Sequence, residues 1–342
     1  MPLCLACLCS PTSIVTFSTQ PPGDSVPNKK VLVVLYSQTG QLSAVAEATI
    51  APLLADKRIN VHLEVLRPVR EHPFPWPFFR FLDTFPESAH LVPEKLHPLT
   101  LAEDARFDLI LLFYQVWFLA PSRPVIAFLN TPAARRILPG KPVVTIVACR
   151  NMWLQAHTRM RSLLAKMGAR HLDNVVLTDR APTMATLLTT PLWLLTGRKT
   201  PVPGLPIAGV AAAEIKRSIR FGRALRDALH AELEQGDAPL LRGLGAVEAQ
   251  PQLLVSERAG SRSFYLWGKL LRLAGPPGAW QRKPLLVFYV IFLLGVIATV
   301  VPLSLSLQRL LRPLLRQRLA ALKTEFERPS GSGTERLAQY DY

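Results

Sequence analysis

From residue 29 onward, short apolar runs alternate with stretches whose apolar positions recur at helical spacing. Residues 31–36 (VLVVLY) form an unbroken, β-branched-rich run, the pattern of a strand buried on both faces of a parallel sheet. A polar turn follows, Ser37-Gln38-Thr39-Gly40, and then Leu42, Val45, Ala46, Thr49, Ile50, Leu53 and Leu54 fall on one stripe of a helix. Further strands are predicted over 59–66, 107–113 (FDLILLF), 143–148 (VVTIVA) and, more weakly, 174–177; helical stretches begin at 124 and cover 153–167 and 211–234. Strands alternating with helices imply right-handed crossovers, so the fold class is α/β with a doubly wound, five-stranded parallel sheet.

Two segments interrupt this rhythm. Residues 71–98 are rich in proline and aromatics (Phe74, Trp76, Phe78, Phe79, Phe81 and Phe85), and a loop so long and so aromatic is either extra core or a hydrophobic wall over a greasy substrate. Residues 181–209 hold a second apolar stretch, expected to be extra core covering a sheet edge. Residues 1–28 lack periodicity and read as a disordered leader, and 236–263 as a linker.

The last quarter has a different character. Residues 284–307 (PLLVFYVIFLLGVIATVVPLSLSL) contain no charge, and about 20 apolar residues suffice to span a bilayer as a helix. Pro302 is placed to end or kink that helix. The flanks 264–283 and 308–342 mix leucine with Lys and Arg, as interfacial amphipathic segments do. Lys269, Arg272, Arg282 and Lys283 upstream balance Arg309, Arg312, Arg316, Arg318 and Lys323 downstream, so charge sets no orientation, and the expectation is a helix that either spans the membrane or is embedded in it without a full crossing.

Composition agrees with a membrane contact: 49 % of residues are hydrophobic, 19 % charged, and the net charge is +16. That excludes a disordered chain, and the basic excess beside an apolar run suits anionic lipid, with no nucleic-acid motif present. Cys4, Cys7, Cys9 and Cys149 form neither a disulfide framework nor a metal site. No export signal is recognisable, so the expected location is the cytoplasmic face of the inner (plasma) membrane, anchored by the C-terminal helix.

In an open parallel sheet, ligands bind beyond the carboxyl ends of the strands, which directs attention to three loops. The first is Ser37-Gln38-Thr39-Gly40-Gln41-Leu42-Ser43, with hydroxyls and backbone N–H groups at a helix N-terminus as a phosphate monoester requires. It lacks the lysine of a nucleotide P-loop and the three spaced glycines of a dinucleotide site. The second, around Tyr114, Gln115, Val116, Trp117 and Phe118, offers planar rings for stacking. The third, Cys149-Arg150-Asn151, offers a second edge and a positive charge. Tyr114, Arg150 and His157 are the candidates for proton transfer, and spacing singles out none of them.

A first strand ending in Tyr-Ser-Gln-Thr-Gly resembles the flavodoxin-like family, whose phosphate loop has the form Ser/Thr-x-Thr-Gly-x-Ser/Thr. Ser37, Thr39 and Gly40 match; Leu42 stands where a hydroxyl is expected, and Ser43 comes one residue late. The resemblance implies non-covalent FMN over roughly 29–235. The segment Tyr114 to Pro121 resembles that flanking the flavin ring in FMN-dependent NAD(P)H–quinone reductases. The blocks 36–42, 74–81 (FPWPFFRF) and 85–88 (FPES), with the apolar tail, resemble bacterial dialkylresorcinol-condensing enzymes. That likeness implies a flavoprotein that aromatises a dialkylcyclohexanedione made by a ketosynthase of the same pathway. The partners it implies are a lipophilic ring substrate, membrane lipid, that ketosynthase and a second copy of the chain.

Overall fold

The computed structural model describes residues 28–200 and 202–341, so the expected leader lies outside the described residues apart from Asn28. Five parallel strands build the sheet: β1 (Lys29–Leu35), β2 (Ile59–Val65), β3 (Leu109–Trp117), β5 (Pro142–Cys149) and β6 (Arg170–Thr178). A two-residue strand β4 (Ala120–Pro121) folds back antiparallel on the end of β3. The order is β2-β1-β3-β5-β6, the 2-1-3-4-5 order of a flavodoxin-like doubly wound sheet, with its switch point between β1 and β3. Val31 to Val34 and Leu109 to Tyr114 are each fully buried, as helices on both faces demand.

The covering helices are α1 (Gln41–Leu54), α2 (Phe78–Leu82), α3 (Phe85–Ala89), α4 (Arg123–Leu129), α5 (Pro132–Ile137), α6 (Leu154–Lys166), α7 (Thr183–Thr196), α8 (Ala212–Arg217) and α9 (Ile219–His230). The stripe expected on α1 is the one it buries, and each fully buried leucine there contributes roughly 1.5–3 kcal/mol. Helix α9 lies so close to α1 that a Cβ on Gly222 would stand 1.8 Å from the Thr49 carbonyl oxygen.

The strand order is flanked by several departures from the sequence-based expectations. The helix expected over 211–234 is two, with Ser218 between α8 and α9. Residues 236–263 are no spacer: Leu240, Leu241, Leu244, Ala246 and Val247 are buried, and the Val176 N–H donates to the Ala246 carbonyl at 2.8 Å. They cover the edge strand β6, whose open backbone would otherwise be a pairing hazard. Helix α10 (Leu254–Leu273) begins inside that supposed linker.

The apolar stretch 284–307 lies within a longer helix, α11 (Arg282–Glu327), which continues through position 302. Its two ends both return to the α/β body. Arg282 pairs with Glu87 at 2.7 Å and Asp83 at 3.0 Å. At the other end the Ala249 N–H donates to Glu327 at 3.2 Å and Phe326 enters the main core. The tail beyond α11 crosses β6: the Ser330 hydroxyl donates to Asp173 at 2.7 Å and accepts from the Asn174 N–H at 2.8 Å. A final short helix, α12 (Leu337–Tyr340), packs on α9.

Candidate functional site

The turns after β1, β3 and β5 converge on one cavity of about 190 Å³. Gln38, Thr39, Gln41 and Leu42 line it from the first, Gln115, Val116, Trp117 and Phe118 from the second, and Cys149 and Arg150 from the third. Ser37, Gly40, Ser43 and Asn151 do not line it, although all four belong to the same three turns.

The first turn is a helix N-terminus shaped by its own side chains. Gly40 is the N-cap of α1 with φ +77°, a left-handed conformation that a β-branched residue resists. Ser37 faces inward: its hydroxyl accepts from the Ser43 N–H at 3.2 Å, capping the helix. Helix geometry leaves the N–H groups of Gln41 and Leu42 without intrahelical partners. Gln38 and Gln41 are otherwise engaged. The Gln38 amide donates to the Pro73 carbonyl at 3.1 Å, and the Gln41 amide exchanges two hydrogen bonds of 3.2 Å with the Val210 backbone. Leu42 is fully buried, so the position that departs from the phosphate-loop pattern serves the core.

At the second turn, strand β3 runs on through Trp117, because Tyr114 and Gln115 still pair with Val147 and Ala148 of β5. Residues 114–117, expected in a loop, are therefore strand. Phe118 and Leu119 then make a two-residue hairpin to β4 with φ of 49° and 61°. Such turns favour Asn-Gly; two bulky residues there store backbone strain of about 1–3 kcal/mol each, a feature that clusters at functional sites. The Trp117 ring is held edge-on by Tyr36, His72 and Trp76 at centroid distances of 5.9, 4.8 and 5.9 Å. His72 is itself fixed by Glu94 at 2.8 Å, with both side chains buried.

Arg150 brings the cavity its cation. Burial lowers its pKa, while Cys149, Asp179 and Glu257 draw it back up. Its guanidinium reaches the Met152 sulfur at 2.8 Å. Burial, then nearby Glu257, push the Cys149 thiol above its ordinary range, so it is a poor nucleophile. Glu257, from α10, caps the N-terminus of α6, accepting from the Gln155 N–H at 2.8 Å. Burial lifts its pKa to about 7, against the pull of those backbone donors and Arg150. Nothing in its sequence surroundings marks it.

Tyr114 and His157 are not brought to the cavity. The Tyr114 hydroxyl is buried with no hydrogen-bond partner, and burial raises its pKa. His157 is fully buried under Trp153 and beside His171, and desolvation drives its pKa well down, so it is a neutral core residue rather than a base. Of the proton-transfer candidates, only Arg150 lines the cavity.

The remaining walls come from both insertions. Trp76, Phe81 and Thr84 belong to 71–98, whose aromatic density is the signal that finds them. Thr190, Trp193 and Leu194 belong to α7, so 181–209 is not merely cover for a sheet edge. The Trp76 N–H donates to the Leu194 carbonyl at 2.8 Å, joining the two insertions across the cavity. Asp179 and Gly209 complete the lining, and the Gly209 N–H donates to Asp179 at 2.8 Å.

No family model and no curated protein matches the chain. Solved structures do resemble it. A flavoprotein from Lactobacillus acidophilus in complex with FMN is 14 % identical, covering 44 % of this chain and 93 % of its own, with a TM-score of 0.35. A flavodoxin from the domain Archaea is 14 % identical, covering 58 % of this chain and 99 % of its own, with a TM-score of 0.29. At such scores these likenesses carry no weight alone; the strand order stands without them.

Proposed function

We propose that the protein is an FMN-dependent oxidoreductase acting on a lipophilic ring substrate. The observation that carries this is the convergence of the three strand-end turns on one cavity beside the α1 N-terminus. The residues fit the cofactor. The exposed turn at Gly40, with its free helical N–H groups, suits a phosphate. The Gln115 side-chain oxygen is buried without a hydrogen-bond partner, as expected of a group awaiting a ligand. A volume of about 190 Å³ lies below the ~300–1,000 Å³ usual for ligand sites, which suits a group only partly enclosed.

Bound FMN would supply two-electron chemistry, taking up or giving back a hydride. The chain's own residues do the rest. Thr39 and the turn at Gly40 would hold the phosphate, and Trp117, locked by its three aromatic neighbours, would present a fixed face for stacking. Arg150 sets a permanent positive charge at the wall, favouring negative charge that develops on a bound ring. Trp76, Phe81 and Phe118 exclude water and accept an apolar substrate.

The finer reading is aromatisation of a dialkylcyclohexanedione to a resorcinol. It is supported by the sequence resemblance and by this aromatic wall. Reduction of quinones by NAD(P)H is the alternative in the opposite electron direction, and a membrane-tethered electron carrier the non-enzymatic one. Purified full-length protein should show flavin absorbance after incubation with FMN; a colourless protein overturns the proposal. Gly40→Val should lose the flavin, with the melting temperature lowered only by the few degrees that one strained left-handed residue costs. Bleaching of bound flavin by a cyclic dione without NAD(P)H selects the aromatase.

A further inference from the structure

Helices α10 and α11 expose a large apolar surface. Phe288, Ile291 and Leu294 on α11 are 61 %, 63 % and 60 % exposed, and Leu273 and Trp280, at the turn between the helices, 78 % and 72 %. Only 17 % of Arg282–Thr299 is buried, which separates it from the core helix of a soluble protein. Exposed apolar patches beyond a few hundred Å² mark binding surfaces.

Charge names the occupant. From residue 254 to 323 there are 11 Lys/Arg and a single acid, Glu257, which is itself buried. Exposed Arg258, Arg316 and Arg318, with one exposed acid, Glu248, rim a second cavity, about 720 Å³, between α10 and the far half of α11. Arg282 and Lys323 are paired with Glu87 and Glu327, and the remaining excess of cations beside apolar helix faces fits an anionic phospholipid surface.

Connectivity names the mode. A crossing helix puts its ends on opposite sides of a hydrocarbon layer about 30 Å thick. Both ends of α11 are instead bonded to one α/β body, Arg282 to buried Glu87 and Glu327 to the Ala249 N–H. The near-equal basic content of the two flanks is what a helix with both ends on the same side needs.

We propose that α10 and the apolar part of α11 lie embedded in one leaflet of an anionic bilayer without crossing it, so that the sheet and both ends of α11 share one side. The embedded surface is continuous with the cavity. Rings touch in sequence from Phe288 to Trp267 (5.7 Å), Tyr289 (5.3 Å), Phe85 (4.6 Å) and Phe118 (5.8 Å), which lines the cavity. The lipophilic substrate therefore reaches the site from the lipid; this last clause rests on the function proposed above, whereas the attachment itself does not.

The test uses the full chain. Purified protein should float with phosphatidylcholine vesicles containing phosphatidylglycerol at least about tenfold better than with phosphatidylcholine alone, since each near-surface cation contributes ~1 kcal/mol. The double substitution Ile291→Arg, Leu294→Arg should abolish flotation while leaving the thermal melt and FMN absorbance unchanged. For topology, Gln281→Cys and Ala338→Cys are placed singly where Cys4, Cys7, Cys9 and Cys149 have become serine. A membrane-impermeant maleimide should then treat the two positions alike, in spheroplasts and in inside-out vesicles. Opposite labelling of the two positions overturns the proposal in favour of a crossing helix. Failure to float, with the chain dimeric in solution, overturns it in favour of a second copy on the apolar face. Flavin absorbance of the same preparations reports separately on the redox reading.

Discussion

Helices α1 and α11 are both strongly apolar and have opposite surroundings. In α1, Leu42, Val45, Ala46, Ile50 and Leu53 are buried between the sheet and α9. In α11, Phe288, Ile291 and Leu294 face outward and stay about three-fifths exposed. The difference lies in the partner, not in hydrophobicity. Gly222 lets α9 approach α1 to within backbone contact, whereas a Cβ on Gly295 of α11 would meet nothing within 4 Å. A helix that finds such a neighbour becomes core; one that finds none must find another apolar phase.

The contrast can be attacked at its ties, its packing and its empty space. Arg282→Met should have the largest effect, because it strands the Glu87 carboxylate, 4 % exposed, without its cation. Breaking a buried pair costs about 3–5 kcal/mol, readable as a lower urea midpoint. Gly222→Ala should cost about 3 kcal/mol, since its methyl would stand 1.8 Å from a backbone oxygen that cannot yield, and the loss should appear as a drop in melting temperature.

Next comes pH. Glu257 has its pKa raised to about 7 by burial, above its unfolded value of 4.5, so its contribution is full below that value and is lost as pH rises through 7. This contribution alone amounts to roughly 2–3 kcal/mol between pH 5 and 8, and it is opposed in the same range by buried His157 and His171, whose lowered pKa values favour the fold as pH rises. Relative to the parent, Glu257→Gln should gain roughly 2–3 kcal/mol between pH 5 and 8, because Asp173, raised by burial to about 6, and the two buried histidines contribute equally to both proteins. A pH slope of thermal stability unchanged by the substitution would show that Glu257 does not titrate there. Gly295→Ala should be the mildest change, stabilising by about 0.5–1 kcal/mol through helix propensity alone, as followed by chemical denaturation.

What the sequence revealed follows the same physical division. The runs 31–36, 107–113 and 143–148 were readable as strands because burial on both faces forbids polar positions. The end of β3 was not: Gln115 sits in a strand only because β5 pairs with it there, which is a tertiary fact. The first turn announced itself through Gly40, whereas the inward capping role of Ser37 and the tethering of Gln41 to Val210 depend on contacts 6 and 169 residues away. Glu257 was illegible, since one acid in a basic segment looks like surface and not like a cap for a helix a hundred residues earlier. The aromatic wall was half visible: density marked Trp76 and Phe81, but Trp193 looked like any apolar helix residue.

The return of the chain over Asp173 and Asn174 has a mechanical consequence. The greasy hairpin of α10 and α11 is fastened at both feet, as a handle is to a drawer, so traction on it is shared between the Arg282 clasp and the outermost strand rather than borne by a single hinge. Dragging this protein out of a lipid film with a cantilever should peel or unfold the sheet before it frees the handle.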